Sequence, residues 1–164
     1  MYNKIYIIGP VGSGKTTLAG ALSKKFHIDA YELDKVVWDD DNGNTKRTVA
    51  ESTKLFNKII SNKSWIIEDV GRDIFIEGIK LADIVYYIDL SKVTIYNRCV
   101  CRWIKQKIGI EKYNYKPTVK SLCKMLKWAY KDLKNKRRKM DFILDNSKNY
   151  KILKKTDIKE LINS

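Results

Sequence analysis

The stretch GPVGSGKT, from Gly9 to Thr16, matches the spacing G-x-x-x-x-G-K-[ST] along its full length. Each residue type has a reason to be there. Glycines let a loop curl until successive backbone N–H groups point inward, a concavity that suits phosphate oxygens. Lys15 can reach the outer phosphates as a point charge, and a helix starting there adds the positive end of its dipole. Thr16 offers a hydroxyl to Mg2+. Gly9, Gly12, Ser13, Gly14, Lys15, Thr16 and Thr17 are therefore the expected contacts of a nucleoside triphosphate, with ATP and Mg2+ as the expected cofactors.

Mg2+ at such a loop calls for an acidic partner at a strand end. Two places offer one: Glu68 and Asp69 after SWII, and Asp89 after IVYYI, the first pair being better placed. No [NT]KxD stretch is present to read guanine, and no LSGGQ-like signature supports a transporter ATPase. The cations narrow the chemistry further. Six arginines stand among the 33 basic residues. Where composition supplies lysine for any ordinary cation, a retained arginine marks a place for a planar, bidentate fork. Arg72 follows the third strand, where it can face a ligand at the sheet's carboxyl edge. Arg98 and Arg102, four apart, share one helix face. Arg137 and Arg138 end a long basic helix, and Arg47 lies in a polar segment. Arginines drawn from separate segments suit phosphoryl transfer, which needs charge stabilisation and water exclusion more than covalent chemistry.

Hydrophobic patterning supplies the elements that would hold these groups. Strands are expected at residues 3–8, 27–33, 64–69, 82–90 and 150–154. Helices are expected at 15–26 and 48–60, the latter opened by a Thr48–Glu51 capping box. Ser91 should cap a further helix with the stripe Val93, Tyr96, Val100, Trp103 and Ile104. A loop at 109–117 precedes a long helix with Val119, Leu122, Leu126, Ala129, Leu133 and Met140 on one face. A last helix begins near Thr156. Strands separated by helices imply an α/β, three-layer fold, a five-stranded parallel sheet with helices on both faces. The helical stretch between the fourth and fifth strands is larger than a crossover requires. It reads as a lid-like insertion over about 98–146 within a single domain spanning 1–164.

With 164 residues, 44% of them hydrophobic, the chain can bury one ordinary core. Its apolar runs are too short to span a membrane, and MYNKIYIIGP has no signal-peptide cleavage region, so a cytoplasmic protein is expected. Cys99, Cys101 and Cys123 are expected as buried or half-buried thiols rather than disulfides or zinc ligands, and the single His27 excludes a His-based triad or metal cluster. A net charge of +14 attracts polyanions, from small polyphosphates to nucleic acid, and the lysine-rich 112–139 region is the place a nucleic acid would contact.

The loop, the end of the second strand and NRCVCRW (97–103) resemble small nucleoside and nucleotide kinases of the adenylate kinase type. That resemblance implies that Arg98 stacks on the donor adenine, that Arg102 contacts phosphates and that Arg72 grips the acceptor. A closer likeness, carried by LDKVVW (33–38), TKRT (45–48), SWIIEDVGR (64–72) and NKRRK (135–139), is to the DNA topology modulation (FlaR-like) proteins of the same superfamily. The segment EDVGR departs from their pattern. Together these readings imply an ATP- and Mg2+-dependent phosphotransferase acting on a small acceptor, a nucleoside or nucleotide. Asp34 would accept from a substrate hydroxyl, Trp38 would stack on a base or sugar, and Arg47 and Arg72 would hold the acceptor. Arg102, Arg137 and Arg138 would neutralise the charge in flight. The alternative is a nucleotide-dependent, nucleic-acid-binding regulator.

Overall fold

A computed structural model describes residues 2–39, 42–43, 45–111 and 117–163. The chain runs β1 (Lys4–Ile8), α1 (Lys15–Phe26), β2 (Ala30–Glu32), α2 (Leu33–Val37), β3 (Trp38–Asp39), β4 (Thr45–Lys46), α3 (Val49–Ile60) and β5 (Trp65–Asp69). It continues through a 3-10 turn (Asp73–Phe75), α4 (Ile76–Leu81), β6 (Ile84–Ile88), α5 (Lys92–Lys107), α6 (Val119–Lys134), α7 (Lys136–Asn146), β7 (Tyr150–Leu153) and α8 (Lys155–Asn163). The five main strands form one parallel sheet in the order β2-β5-β1-β6-β7, with β3 and β4 a separate antiparallel pair. This is the expected α/β sheet. Consecutive strands β5 and β6 flank β1 on opposite sides, so the crevice at the carboxyl ends opens beside β1, where the phosphate loop begins.

Strand period decides which core each residue enters. Ile5, Ile7 and Ile66 point to one face, covered by Leu18 and Leu22 of α1, Ile95 and Cys99 of α5, and Met125 and Ala129 of α6. Tyr6, Ile8, Trp65 and Ile67 point to the other, covered by Phe56 of α3, Phe75, Ile79 of α4 and Ile143 of α7. Aromatic packing fills that second face: Tyr6 meets Trp65 edge-on at 6.4 Å, and Phe56 lies 4.6 Å from Phe75. The capping box of α3 forms as expected, with the Glu51 N–H donating to Thr48 Oγ1 and the Thr48 N–H to Glu51.

Several expected boundaries move. The second strand keeps only three residues, because Leu33, Val36 and Val37 turn into a short helix that buries all three. The polar segment that leads to Arg47 is framed by the β3–β4 pair, while residues 40, 41 and 44 lie outside the described residues. On α5 the buried side is Ile95 and Cys99, and Val93 is 68% exposed. The helix is turned so that small Cys99, rather than the larger stripe, lies against the phosphate loop. The expected single long helix is two, broken at Asn135, and Val119 is exposed. The break lets α6 pack on one face of the sheet and α7 on the other. The helical insertion thereby crosses the carboxyl edge and is sewn into both cores. Cys99 is buried as expected, but Cys101 and Cys123 are exposed thiols on outward helix faces. The loop expected at 109–117 falls in part on residues 112–116, outside the described residues. Among the described residues no helix is long and apolar enough to cross a membrane.

Candidate active site

Between β1 and α1 the chain makes the loop its glycines allow. Gly12 and Gly14 adopt φ of 78° and 92°, a left-handed region that L side chains rarely enter. A Cβ on Gly12 would also lie 2.8 Å from Cys99 Sγ, so α5 closes directly on the loop. Lys15, nearly buried, donates from Nζ to the Pro10 carbonyl at 3.1 Å and stands 4.0 Å from Glu68 Oε2. Thr16 donates from Oγ1 to Glu68 Oε1 at 2.8 Å. Ser13 Oγ is buried with no hydrogen-bond partner among the described residues, while Gly9 sits directly beneath it and Thr17 is exposed on the first turn of α1.

Neighbouring strand residues Glu68 and Asp69 necessarily point to opposite faces, and this separates the two acids. Glu68 turns toward Lys15 and Thr16. Burial raises its carboxyl above the ordinary value, against the charge of Lys15 and the hydrogen bond from Thr16. Asp69 turns the other way and does not join them. Fully buried, it accepts the N–H groups of Gly71 and Arg72 at 2.8 and 2.6 Å and the Arg72 guanidinium. Asp89 is occupied elsewhere. Its burial alone would raise its pKa, but hydrogen bonds from Lys136 and Lys154 hold it low. Among the described residues no cluster of three or more His, Cys, Asp or Glu forms a metal cage. The Thr16 hydroxyl and the Glu68 carboxylate are hard oxygen donors side by side. They fit a magnesium ion that completes its shell from phosphate oxygens and water.

At the carboxyl ends of β2 and β5 lie the candidates for an acceptor. Arg72 bridges the buried Asp69 and the exposed Asp34. Burial works against its charge, yet the two carboxylates outweigh that and raise its pKa. Arg47 is committed to α2 and β3: it donates to the carbonyls of Lys35 and Trp38 at 2.7 and 2.8 Å and pairs with Asp39 at 3.0 Å. Trp38, half-buried, pairs through β3 with Lys46 of β4.

From the helical insertion, Arg98 reaches the loop and donates to the Ser13 carbonyl at 2.6 Å. Arg102, one turn on, pairs with Glu111 at 3.0 Å on the surface. Arg137 and Arg138 are exposed, and Arg138 approaches only the exposed Asp73, at 3.4 Å. The helical period explains the difference. Lys136 and Lys139, three apart, share the face of α7 that meets the sheet edge, and the two intervening arginines turn away from it. Favouring arginine over lysine therefore passed over Lys139. The signal that finds it is its position one turn before the buried Ile143.

A shallow apolar groove of about 460 Å3 between α5 and α6 is lined by Tyr96, Val100, Leu126, Lys127 and Tyr130. It takes no residue of the loop or of the Arg72 turn, so the chemistry is placed by the loop rather than by the groove.

No protein-family model and no curated protein sequence matches the chain. Solved structures do match in shape. A shikimate kinase from Acinetobacter baumannii in complex with shikimate is 16% identical, with a TM-score of 0.62 over 97% of this chain and 88% of that one. A shikimate kinase from Bacteroides thetaiotaomicron is 12% identical, with a TM-score of 0.61 over 99% and 96%. A gluconokinase from Sinorhizobium meliloti is 11% identical, with a TM-score of 0.57 over 98% and 87%. At these identities what is shared is the fold, a five-stranded parallel sheet packed between helices.

Proposed function

We propose that the protein is an ATP- and Mg2+-dependent phosphotransferase that moves a γ-phosphoryl group to a small acceptor. The observation that carries this reading is the conjunction of the left-handed glycine loop, buried Lys15 and the Thr16–Glu68 pair at the switch point of the sheet. The loop N–H groups and Lys15 hold the triphosphate, with Arg98 at the nucleoside end. Thr16 and Glu68 would hold magnesium, which neutralises phosphate charge when bound. Across the crevice, Asp34 and Arg72 would orient the acceptor. Its hydroxyl oxygen forms the new bond to phosphorus as the bond to the ADP oxygen breaks, and the hydroxyl proton passes to Asp34. The three neighbours named above are two shikimate kinases, one of them in complex with shikimate, and a gluconokinase. The resemblance of NRCVCRW and SWIIEDVGR to segments of adenylate-kinase-type and topology modulation proteins favours a nucleoside or nucleotide acceptor.

Turnover of ATP with mass detection of phosphorylated product, across nucleosides, nucleoside monophosphates and small hydroxylated acids, tests the reading. One acceptor should gain one phosphoryl group, and Lys15→Ala should lower the rate at least about 100-fold while the protein stays folded. Undiminished turnover in Lys15→Ala would falsify the assignment.

One observation favours a second reading. Lys120, Lys124, Lys127, Lys131 and Lys134 form an exposed stripe along α6, beside exposed Trp128 and Tyr130. Residues 112–116 of this basic region lie outside the described residues. A nucleic-acid-binding regulator would use this stripe, and its DNA affinity would fall steeply with salt.

A further inference from the structure

The N–H of Val11, the third residue of the phosphate loop, donates to Asp132 Oδ2 at 3.2 Å, across 121 positions of sequence. The other oxygen of that carboxylate accepts from Lys139 Nζ at 2.8 Å. The same ammonium donates to the Val70 carbonyl at 2.5 Å, in the turn that carries Arg72. Both side chains are largely buried, with 17% and 12% of their surfaces exposed. Asp132 is also the one acid between Glu111 and Asp141, within a run dense in lysine. It lies on the buried edge of α6, one turn beyond Ala129.

A carboxylate between a loop N–H and an ammonium meets the donors that a phosphate oxygen meets. The location is equally specific. The Asp132–Lys139 pair spans Val11 and Val70, hence the gap between the loop and the acceptor-side turn. A phosphoryl group passing from the loop to a molecule at Arg72 has to cross that gap.

We propose that Asp132 is a built-in stand-in anion for the transferred phosphoryl group, and that Lys139 is the cation it holds ready. Arrival of a triphosphate displaces the carboxylate from Val11 and hands Lys139 Nζ to the phosphoryl oxygens. Lys139 then touches the transferred group, whereas Asp132 acts through Lys139 and the loop as a positioning residue. The inference rests on the triphosphate reading of the loop.

The two members of the pair make opposite predictions, which a merely structural tie does not. Calorimetric titration with Mg2+ and either a non-hydrolysable triphosphate (the β,γ-imido analogue of ATP) or ADP reads both. Asp132→Asn removes the competing anion and should tighten triphosphate binding about tenfold, with little change for ADP. Lys139→Met should weaken triphosphate binding about tenfold, and Lys139→Arg should restore most of it. Glu160→Gln, the same charge change on exposed α8, controls for the general field and should leave both affinities near wild type. Thermal melts verify folding, and Asp132→Ser substitutes if Asp132→Asn fails to fold. If both members shift affinity in the same direction, or shift ADP as much as the triphosphate, the stand-in idea is overturned and the pair is a structural tie. If wild type binds neither nucleotide, or Lys15→Ala binds as wild type does, the reading of the loop itself fails.

Discussion

Single residues carry most of the chemistry, and Glu68 is where stability and function pull apart. Its carboxyl is raised by burial, so folding prefers the protonated form. A raised folded pKa contributes stability that is fully present below the unfolded value, about 4.3 for glutamate, and is lost as pH rises through the folded value. Ionising this buried carboxyl therefore costs stability, beside the Thr16 hydroxyl where magnesium would bind. Glu68→Gln has no such titration. Without ligand it should melt above wild type at pH 7.5, and the difference should shrink as pH falls toward 4. The proposed phosphotransfer should meanwhile drop about 100-fold, Glu68 being placed where it would hold the metal. Paired melts across that pH range, with rates at saturating Mg2+, measure both. A variant less stable than wild type at pH 7.5 would mean that Lys15 and Thr16 more than compensate the buried charge.

At the scale of elements, what could be read from sequence was whatever is encoded locally. The loop was legible because G-x-x-x-x-G-K-[ST] writes its own backbone geometry, as the positive φ of Gly12 and Gly14 shows. The α3 capping box was legible because Thr48 and Glu51 satisfy each other within one turn. The break at Asn135 was not, since neither glycine nor proline marks it. It exists because α6 and α7 pack on opposite faces of the sheet, a tertiary demand. Asp132 was passed over for the same reason, because its partners Val11 and Lys139 meet only after that crossing. Gly78 shows tertiary packing overriding propensity within α4. Alanine there should gain about 1 kcal/mol of helix propensity. Its Cβ would lie 2.8 Å from ring atoms of both Phe56 and Tyr6, two fully buried aromatics that cannot swing aside. Overpacking of that kind costs about 1–3 kcal/mol, and with a rigid ring on two sides the upper half of that range applies. Gly78→Ala should therefore destabilise by about 1–2 kcal/mol, which denaturant melts can read. A more stable Gly78→Ala protein would mean that α4 shifts freely on the sheet.

Across the whole molecule, the parallel sheet and the helical insertion differ in how firmly they are held. β1, β5 and β6 are buried and hydrogen-bonded to strands on both sides. α6 keeps only Met125 and Ala129 fully buried, and α7 only Ile143, with lysines facing solvent between them. Local opening follows such differences, so the insertion should exchange its amide hydrogens faster than the central strands. The gap should be at least about tenfold, the equivalent of roughly 1.4 kcal/mol. Distance from the loop does not set this order, since Arg98, Asp132 and Lys139 already tie α5, α6 and α7 to residues 11–13 and 70. A ligand on the loop bears on all three helices at once. Hydrogen exchange with and without the imido triphosphate and Mg2+ should therefore show slowing at 9–17 accompanied by slowing at 92–102 and across the α6–α7 junction, while β1 and β5 stay unchanged. Slowing confined to the loop would mean that these contacts are incidental and that α5, α6 and α7 open independently of the loop. Slowing that includes the junction would show that the crossing of α6 and α7 over the sheet edge responds to a ligand on the loop, as exclusion of water from the proposed phosphoryl transfer requires.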